Sequence, residues 1–224
     1  MERPEVIQPI IDLFPAARYL EVGVSQGVTF HALRAGTKVA VDPNFLFQVP
    51  ASPTADGSHY HSCTSDAFFA QYGKGPKFDV IYLDGLHTYE QTLRDLLNSI
   101  VLLNDGGVII IDDVLPNSYE AGLRDPDECF AIRRKFNNAD SAWMGDVYKL
   151  VFFVESFIQQ FDFRTIADNH GQLVMWRGVR DLSNTTDRLL SEISDYDYSD
   201  SVLNRDVFRV QSYREIFDLV KGAR

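Results

Sequence analysis

Val108-Ile109-Ile110-Ile111-Asp112-Asp113 is an aliphatic run closed by two aspartates, and Phe78-Asp79-Val80-Ile81-Tyr82-Leu83-Asp84 is a similar run closed by a third. Short, continuous apolar runs of this kind read as parallel strands buried on both faces, because a half-exposed strand would alternate. The 28 positions from Asp84 to Asp112 leave room for one helix and two turns, which sets the two strand ends side by side. Ligands of open α/β sheets bind outside the carboxyl ends of the strands. Three carboxylates at one such rim repel each other unless a cation, protons or ligand groups offset them. Hard oxygen donors with an open face suit Mg²⁺ or a similar divalent ion. Adjacent acids at a strand end can also be helix caps or solvated turn groups.

Upstream, the strand–helix alternation continues. Apolar positions at helical spacing over residues 5–14 end at Pro15. Arg18–Val22 reads as a strand, Val28–Leu33 as a helix, and Lys38–Asp42 as a second strand that Pro43 stops. A third strand is expected near Tyr60, and a short helix from Thr64 to Gln71. Thr88-Tyr89-Glu90-Gln91 has capping-box spacing for a helix with Glu90 and Arg94 paired and Leu93, Leu96, Leu97 and Ile100 buried. A helix is expected from Gly145 to Phe161, then strands at Phe163–Ala167 and Gln172–Trp176 forming an antiparallel edge hairpin. The expected fold class is therefore α/β: a doubly wound, Rossmann-like, seven-stranded and mostly parallel sheet with that hairpin at its C-terminal edge. Residues 1–180 form the expected domain, with 115–142 an insertion or lid. Residues 181–224 form an acidic, partly helical extension.

With 224 residues, 45% of them hydrophobic, the chain suits one well-cored domain. A net charge of −11 argues against nucleic-acid binding, which needs a basic surface. Two cysteines, Cys63 and Cys129, make neither a disulfide framework nor a zinc set. No apolar stretch approaches the ~20 residues of a membrane span, and no signal peptide is evident at Met1, so a cytoplasmic protein with no membrane partner is expected. The sequence leaves a homo-oligomer open.

The turn after the first strand, Glu21-Val22-Gly23-Val24-Ser25-Gln26-Gly27, places a carboxylate where a dinucleotide fold has its first glycine. A carboxylate there disfavours a pyrophosphate, which wants bare N–H groups, and suits a cofactor with a positive centre and an ammonium group. The acid-x-Gly-x-x-x-Gly pattern resembles the first motif of class I S-adenosylmethionine-dependent methyltransferases. The resemblance implies that Gly23, Ser25 and Gly27 admit the amino-acid end of S-adenosylmethionine, and that Asp42 accepts the ribose hydroxyls. It also implies that Ser65 and Asp66 lie near the adenine amine. Read without it, Asp42 is a turn residue and Ser65-Asp66 a helix N-cap.

Asp84, Asp112 and Asp113 match the aspartates of metal-dependent O-methyltransferases of the catechol and macrocin types. Leu83-Asp84-Gly85-Leu86-His87-Thr88-Tyr89-Glu90 looks like a bacterial small-molecule subfamily with an Asp-Gly-x-His-x-Tyr-Glu signature, and Trp143-Met144-Gly145-Asp146-Val147 resembles its later segment. The likeness spans about residues 18–178. It implies Mg²⁺ or a similar ion on the three aspartates and a hydroxylated small-molecule substrate, either sugar, phenol or natural product. A bound cation makes a hydroxyl more acidic and fixes its orientation. His87 is placed to take the hydroxyl proton as general base, where the catechol branch has lysine. A hydrogen-bonding loop residue and a direct ligand are the other roles open to it. His31, His59, His61 and His170 show no partner spacing and read as surface or turn residues. Phe152, Phe153 and Phe157 read as core, and Trp143 and Tyr119 as candidates for substrate contact. A cofactor-binding subunit without transferase activity is the alternative function, and a nucleotide-dependent oxidoreductase a more distant third.

Overall fold

The structure is a computed structural model that describes residues 1–73, 75–183 and 185–224. Strands β1 (Arg18–Val22), β2 (Thr37–Val41), β3 (Ser58–His61), β4 (Phe78–Leu83) and β5 (Leu103–Ile111) are mutually parallel. Helices α1 (Arg3–Ile11), α2 (Val28–Ala32), α3 (Ser65–Tyr72) and α4 (Tyr89–Leu102) precede β1, β2, β4 and β5 in turn, while β3 follows β2 through a loop. Beyond β5 come α5 (Pro126–Lys135), α6 (Lys149–Phe157), β6 (Phe161–Ile166) and β7 (Leu173–Arg177). The C-terminal part holds α7 (Leu190–Asp195), α8 (Tyr198–Leu203), a 3₁₀ turn at Arg205–Phe208, β8 (Val210–Gln211) and α9 (Tyr213–Gly222).

The sheet order is β3-β2-β1-β4-β5-β7-β6-β8. It reverses direction of growth between β1 and β4, and the crevice at that reversal is where doubly wound sheets hold ligands. Side chains alternate between two helix layers. Leu20, Ile81, Ile109 and Ile111 face a core that includes Leu96, Phe152 and Phe208. Tyr19, Val80, Val108 and Ile110 face one built with α1, α2 and α9.

Several expectations are corrected. The sheet has eight strands, because β8, from the acidic C-terminal segment, adds to β6 in parallel. The β6–β7 hairpin is antiparallel as expected but is not the edge, since β7 lies against β5 and β8 covers β6. That segment also enters the core. Phe152 meets Tyr196 and Phe208 edge-on at 4.8 and 5.6 Å, and buried Arg188 pairs with buried Glu155. Helix α6 is shorter than the expected 145–161 span. Thr88 makes no side-chain cap; the Tyr89 N–H donates instead to Asp146 Oδ1 at 2.7 Å. Glu90 pairs with Arg124 at 2.6 Å rather than with Arg94, and Leu97 lies exposed while Leu96 is buried. No helix among the described residues is long and apolar enough to cross a membrane.

Candidate active site

The glycine turn is built for close approach. Gly23 has φ +84°, and a Cβ there would lie 1.9 Å from the Asp84 carbonyl oxygen. Only glycine lets the end of β1 pass the end of β4 so closely. Gly27, also left-handed at φ +76°, caps the start of α2. Asp42 Oδ2 accepts the N–H groups of Val24 and Ser25 at 2.7 and 2.8 Å, and its Oδ1 accepts the Asn44 N–H at 2.7 Å. This carboxylate therefore braces the turn, with lone pairs left over on the cavity side.

A cavity of about 680 Å³ opens at the turn, lined by Glu21, Gly23, Ser25, Asp42, Ser65 and Asp66 among others. Gly27 is not in its wall. Glu21 is 1% exposed, and its Oε2 accepts the Tyr19 hydroxyl at 2.6 Å. Burial pushes its carboxyl up to about 8, against the opposing pull of that hydrogen bond. Thr64 supplies the cap of α3, so Ser65 and Asp66 are not the capping residues. The Gln91 amide instead ties them together, donating to Ser65 Oγ at 3.1 Å, to Asp66 Oδ1 at 3.3 Å and to Asp95 Oδ1 at 3.0 Å. Asp95 is buried in this wall, and burial raises its carboxyl to about 6. Gln91 and Asp95 were missed in the sequence. Their one-turn spacing on α4 was the available signal.

The three aspartates do gather at the rim, with partners the sequence did not disclose. Asp112 Oδ2 accepts from Arg3 Nε at 2.5 Å and from the Tyr82 hydroxyl at 2.7 Å, while Oδ1 faces His170 Nε2 at 2.7 Å. Arg3 Nε also lies 3.5 Å from Asp84 Oδ2. Burial opposes ionisation of Asp112, but His170, Arg3 and Tyr82 hold its carboxyl down at about 2. Burial and the neighbouring Asp112 charge raise both Asp84 and Asp113, the latter to about 7. Asp113 also adopts a left-handed backbone, φ +59°, unusual for a residue with a side chain. His170 is a turn residue, as its sequence reads, but one with a partner that the spacing does not show. That turn carries it to Asp112.

His87 stands between Asp84 and Asp113. Its Nε2 is 3.3 Å from Asp84 Oδ1, and its Nδ1 is 3.0 Å from the Trp143 carbonyl oxygen and 3.1 Å from Asp113 Oδ2. A carbonyl only accepts, so Nδ1 carries the proton toward Trp143 and Nε2 is the nitrogen free to gain one. Burial lowers the His87 pKa, but the two carboxylates outweigh it and raise it to about 9. The ring stacks on Trp143, centroids 5.2 Å apart. Gly145, φ +65°, packs so tightly that a Cβ would meet the His87 carbonyl oxygen at 1.8 Å. The Trp143–Val147 segment therefore clamps the Asp84–Glu90 loop, through Gly145 on His87 and Asp146 on Tyr89.

A second cavity of about 720 Å³ lies across this rim, lined by Asp113, Trp143, His170 and Tyr198 and sharing Arg3 and His87 with the first. Tyr119 is not in its wall. That side chain lies half exposed, edge-on to Tyr198. Phe152 and Phe153 are core residues, but Phe157 is 42% exposed. His31 packs against Phe47 and His61 against Phe68, away from the rim.

One donor atom each from Asp84, His87 and Asp113 lies within 4.8 Å of the others, and the same holds for Asp112, Asp113 and His170. Carboxylate oxygens with an imidazole nitrogen fit a divalent ion. Asp112 is held tightest, by donors at 2.5–2.7 Å on both oxygens, whereas the donors facing Asp84 stand back at 3.2–3.5 Å, so Asp84 and Asp113 are the freer to turn toward an ion.

Residues 20–114 match the family model described as a methyltransferase domain. No curated protein matches the sequence. Among solved structures, the fold resembles cofactor-bound Rv0187 from MTB at TM-score 0.51 and 16% identity, covering 80% of each chain. It also resembles the O-methyltransferase TomG from Streptomyces achromogenes, involved in tomaymycin synthesis and solved with S-adenosylmethionine. That likeness has TM-score 0.51 and 13% identity over 79% of this chain and 81% of TomG. The matched stretch runs from β1 and its glycine turn through β5 to the aspartate rim, so the methyltransferase-domain match covers the part of the chain that builds the glycine turn and carries the three aspartates.

Proposed function

We propose that the chain methylates a hydroxyl oxygen of a small molecule, with the methyl donor in the first cavity and the acceptor in the second. One observation carries this reading: the two cavities meet at His87, the one side chain at the junction able to accept a proton. S-adenosylmethionine supplies the methyl group from a sulfonium, and a divalent ion held by Asp84 and Asp113 makes an acceptor hydroxyl easier to ionise.

The chain's own residues do the rest. Glu21 offers a buried carboxyl to the cationic end of the donor, and the Asp42-braced turn brings backbone close to it. Asp42, Ser65, Asp66, Gln91 and Asp95 provide polar contacts around the remainder of that cavity. His87 Nε2 takes the acceptor's proton once the negative charge on Asp84 and Asp113 is offset, because that charge is what holds the imidazole protonated. Trp143 fixes the ring, and its carbonyl fixes the tautomer. Arg3 and His170 keep Asp112 ionised and in place.

The test is methyl transfer from labelled S-adenosylmethionine to a panel of hydroxylated acceptors with Mg²⁺, comparing the wild type with Asp113→Ala and His87→Ala. Both variants are expected to lose at least ~100-fold in kcat while still binding the cofactor in calorimetry. Undiminished transfer by Asp113→Ala in excess chelator would remove the metal from the mechanism. Undiminished transfer by His87→Ala would remove the base.

A further inference from the structure

The acceptor cavity has a charge that the rest of the chain does not share. The protein carries 32 acidic residues against 21 lysines and arginines. Yet the wall of this cavity includes Arg3, His87, His170 and Arg205, with Asp113 as its one acid among the described residues. Arg3 and the two histidines are engaged with the aspartate rim. Arg205 is not. It makes no ion pair or hydrogen bond among the described residues, and its guanidinium lies 6.0 Å from the Phe208 ring centroid. A divalent ion on the rim would make the wall more positive still.

The placement comes from the C-terminal segment. Arg205 opens the 3₁₀ turn between α8 and β8, outside the matched domain at residues 20–114. The pairing of β8 with β6 and the burial of Phe208 against Phe152 hold that turn against the cavity. Tyr198 and Val210, on either side of Arg205 in sequence, line the same wall. The C-terminal segment thus gives the cavity one side, and gives that side an unpaired guanidinium, the group best shaped for a carboxylate or phosphate.

Building on the methyltransferase reading above, we infer that the acceptor carries an anionic group, held by Arg205, on the part of the molecule away from the hydroxyl that is methylated. The C-terminal segment is then the element that selects the substrate.

Matched acceptors test this: caffeate against its methyl ester, and a uronic acid against its methyl ester, titrated by calorimetry into wild type, Arg205→Gln and Arg205→Lys. The wild type is expected to bind at least one acid roughly ten-fold or more tightly than its ester. Arg205→Gln brings that ratio close to one without changing the affinity for S-adenosylmethionine, and Arg205→Lys restores part of it. Esters that bind as well as acids, a ratio indifferent to Arg205→Gln, or no binding of either acid overturns the inference. Methyl transfer is read separately. Transfer that shows no preference for acids leaves the methyltransferase reading intact and rejects the role of Arg205. Arg205-dependent binding of acids with no transfer to any acceptor does the reverse.

Discussion

Glu21 gives the sharpest test of how the first cavity selects its ligand. Burial holds its carboxyl at about 8 in the free protein, against an ordinary 4.5. At neutral pH the group is mostly neutral when the cavity is empty. A sulfonium or ammonium beside it favours the carboxylate, so binding should release a proton. If the bound form returns to its ordinary value, two-state linkage makes the affinity rise about fifty-fold between pH 6 and pH 8, or about 2.3 kcal/mol. The cofactor's own α-amino group, with a pKa of about 8, also titrates in this window and pulls the other way. Glu21→Gln isolates the effect, since it keeps the shape and the amine but cannot ionise. Calorimetry in two buffers of different ionisation enthalpy measures the proton count directly. The wild type should release up to one proton near pH 7, and Glu21→Gln should release one fewer than the wild type. Equal pH profiles for the two proteins would refute the reasoning. The same shift has a stability consequence with a definite sign. Between pH 4.5 and about 8 the unfolded chain binds fewer protons at this position than the folded one. Stability of the free protein therefore falls as pH rises through that window and levels off above it. Glu21→Gln should raise the melting temperature more at pH 8 than at pH 5.

Two further perturbations address the clamp and the C-terminal segment. Gly145→Ala forces a left-handed alanine, at about 1–2 kcal/mol, and drives its Cβ into the His87 carbonyl, which must retreat by more than an ångström. Misplacement on that scale should lower kcat on the order of 100-fold while leaving cofactor affinity within about two-fold, and an unchanged kcat would show that the clamp does not position His87. Arg188→Leu strands buried Glu155 without its cation, which should cost about 3–5 kcal/mol in urea unfolding. Glu155→Gln combined with it should recover much of that loss, and a single-variant loss under about 1 kcal/mol would mean the segment is anchored elsewhere.

The sheet was legible because buried parallel strands leave continuous aliphatic runs, and because the acids and glycines at their ends fall where chain direction sets them. Gly23 and Asp42 could be found for that reason, each being fixed by a local turn. The partners of Asp112 could not. Arg3 lies 109 positions from it, on a helix that reads from sequence only as amphipathic, and His170 comes from a hairpin turn whose residues also suit solvent. The eighth strand was hidden for a related reason. Val210–Gln211 is two residues long, too short to show any period, and pairs only because β6 offers a free edge. The same blindness covers Arg205, whose charge is ordinary in a polar segment and acquires meaning only once β8 and Phe208 fix it beside the acceptor cavity. What escapes a linear reading here is how long-range packing brings charges together, as it does Arg3, Asp112 and His170. On the proposed reading, the methyl-donor side is written in short motifs, whereas the choice of acceptor depends on where the C-terminal segment comes to rest.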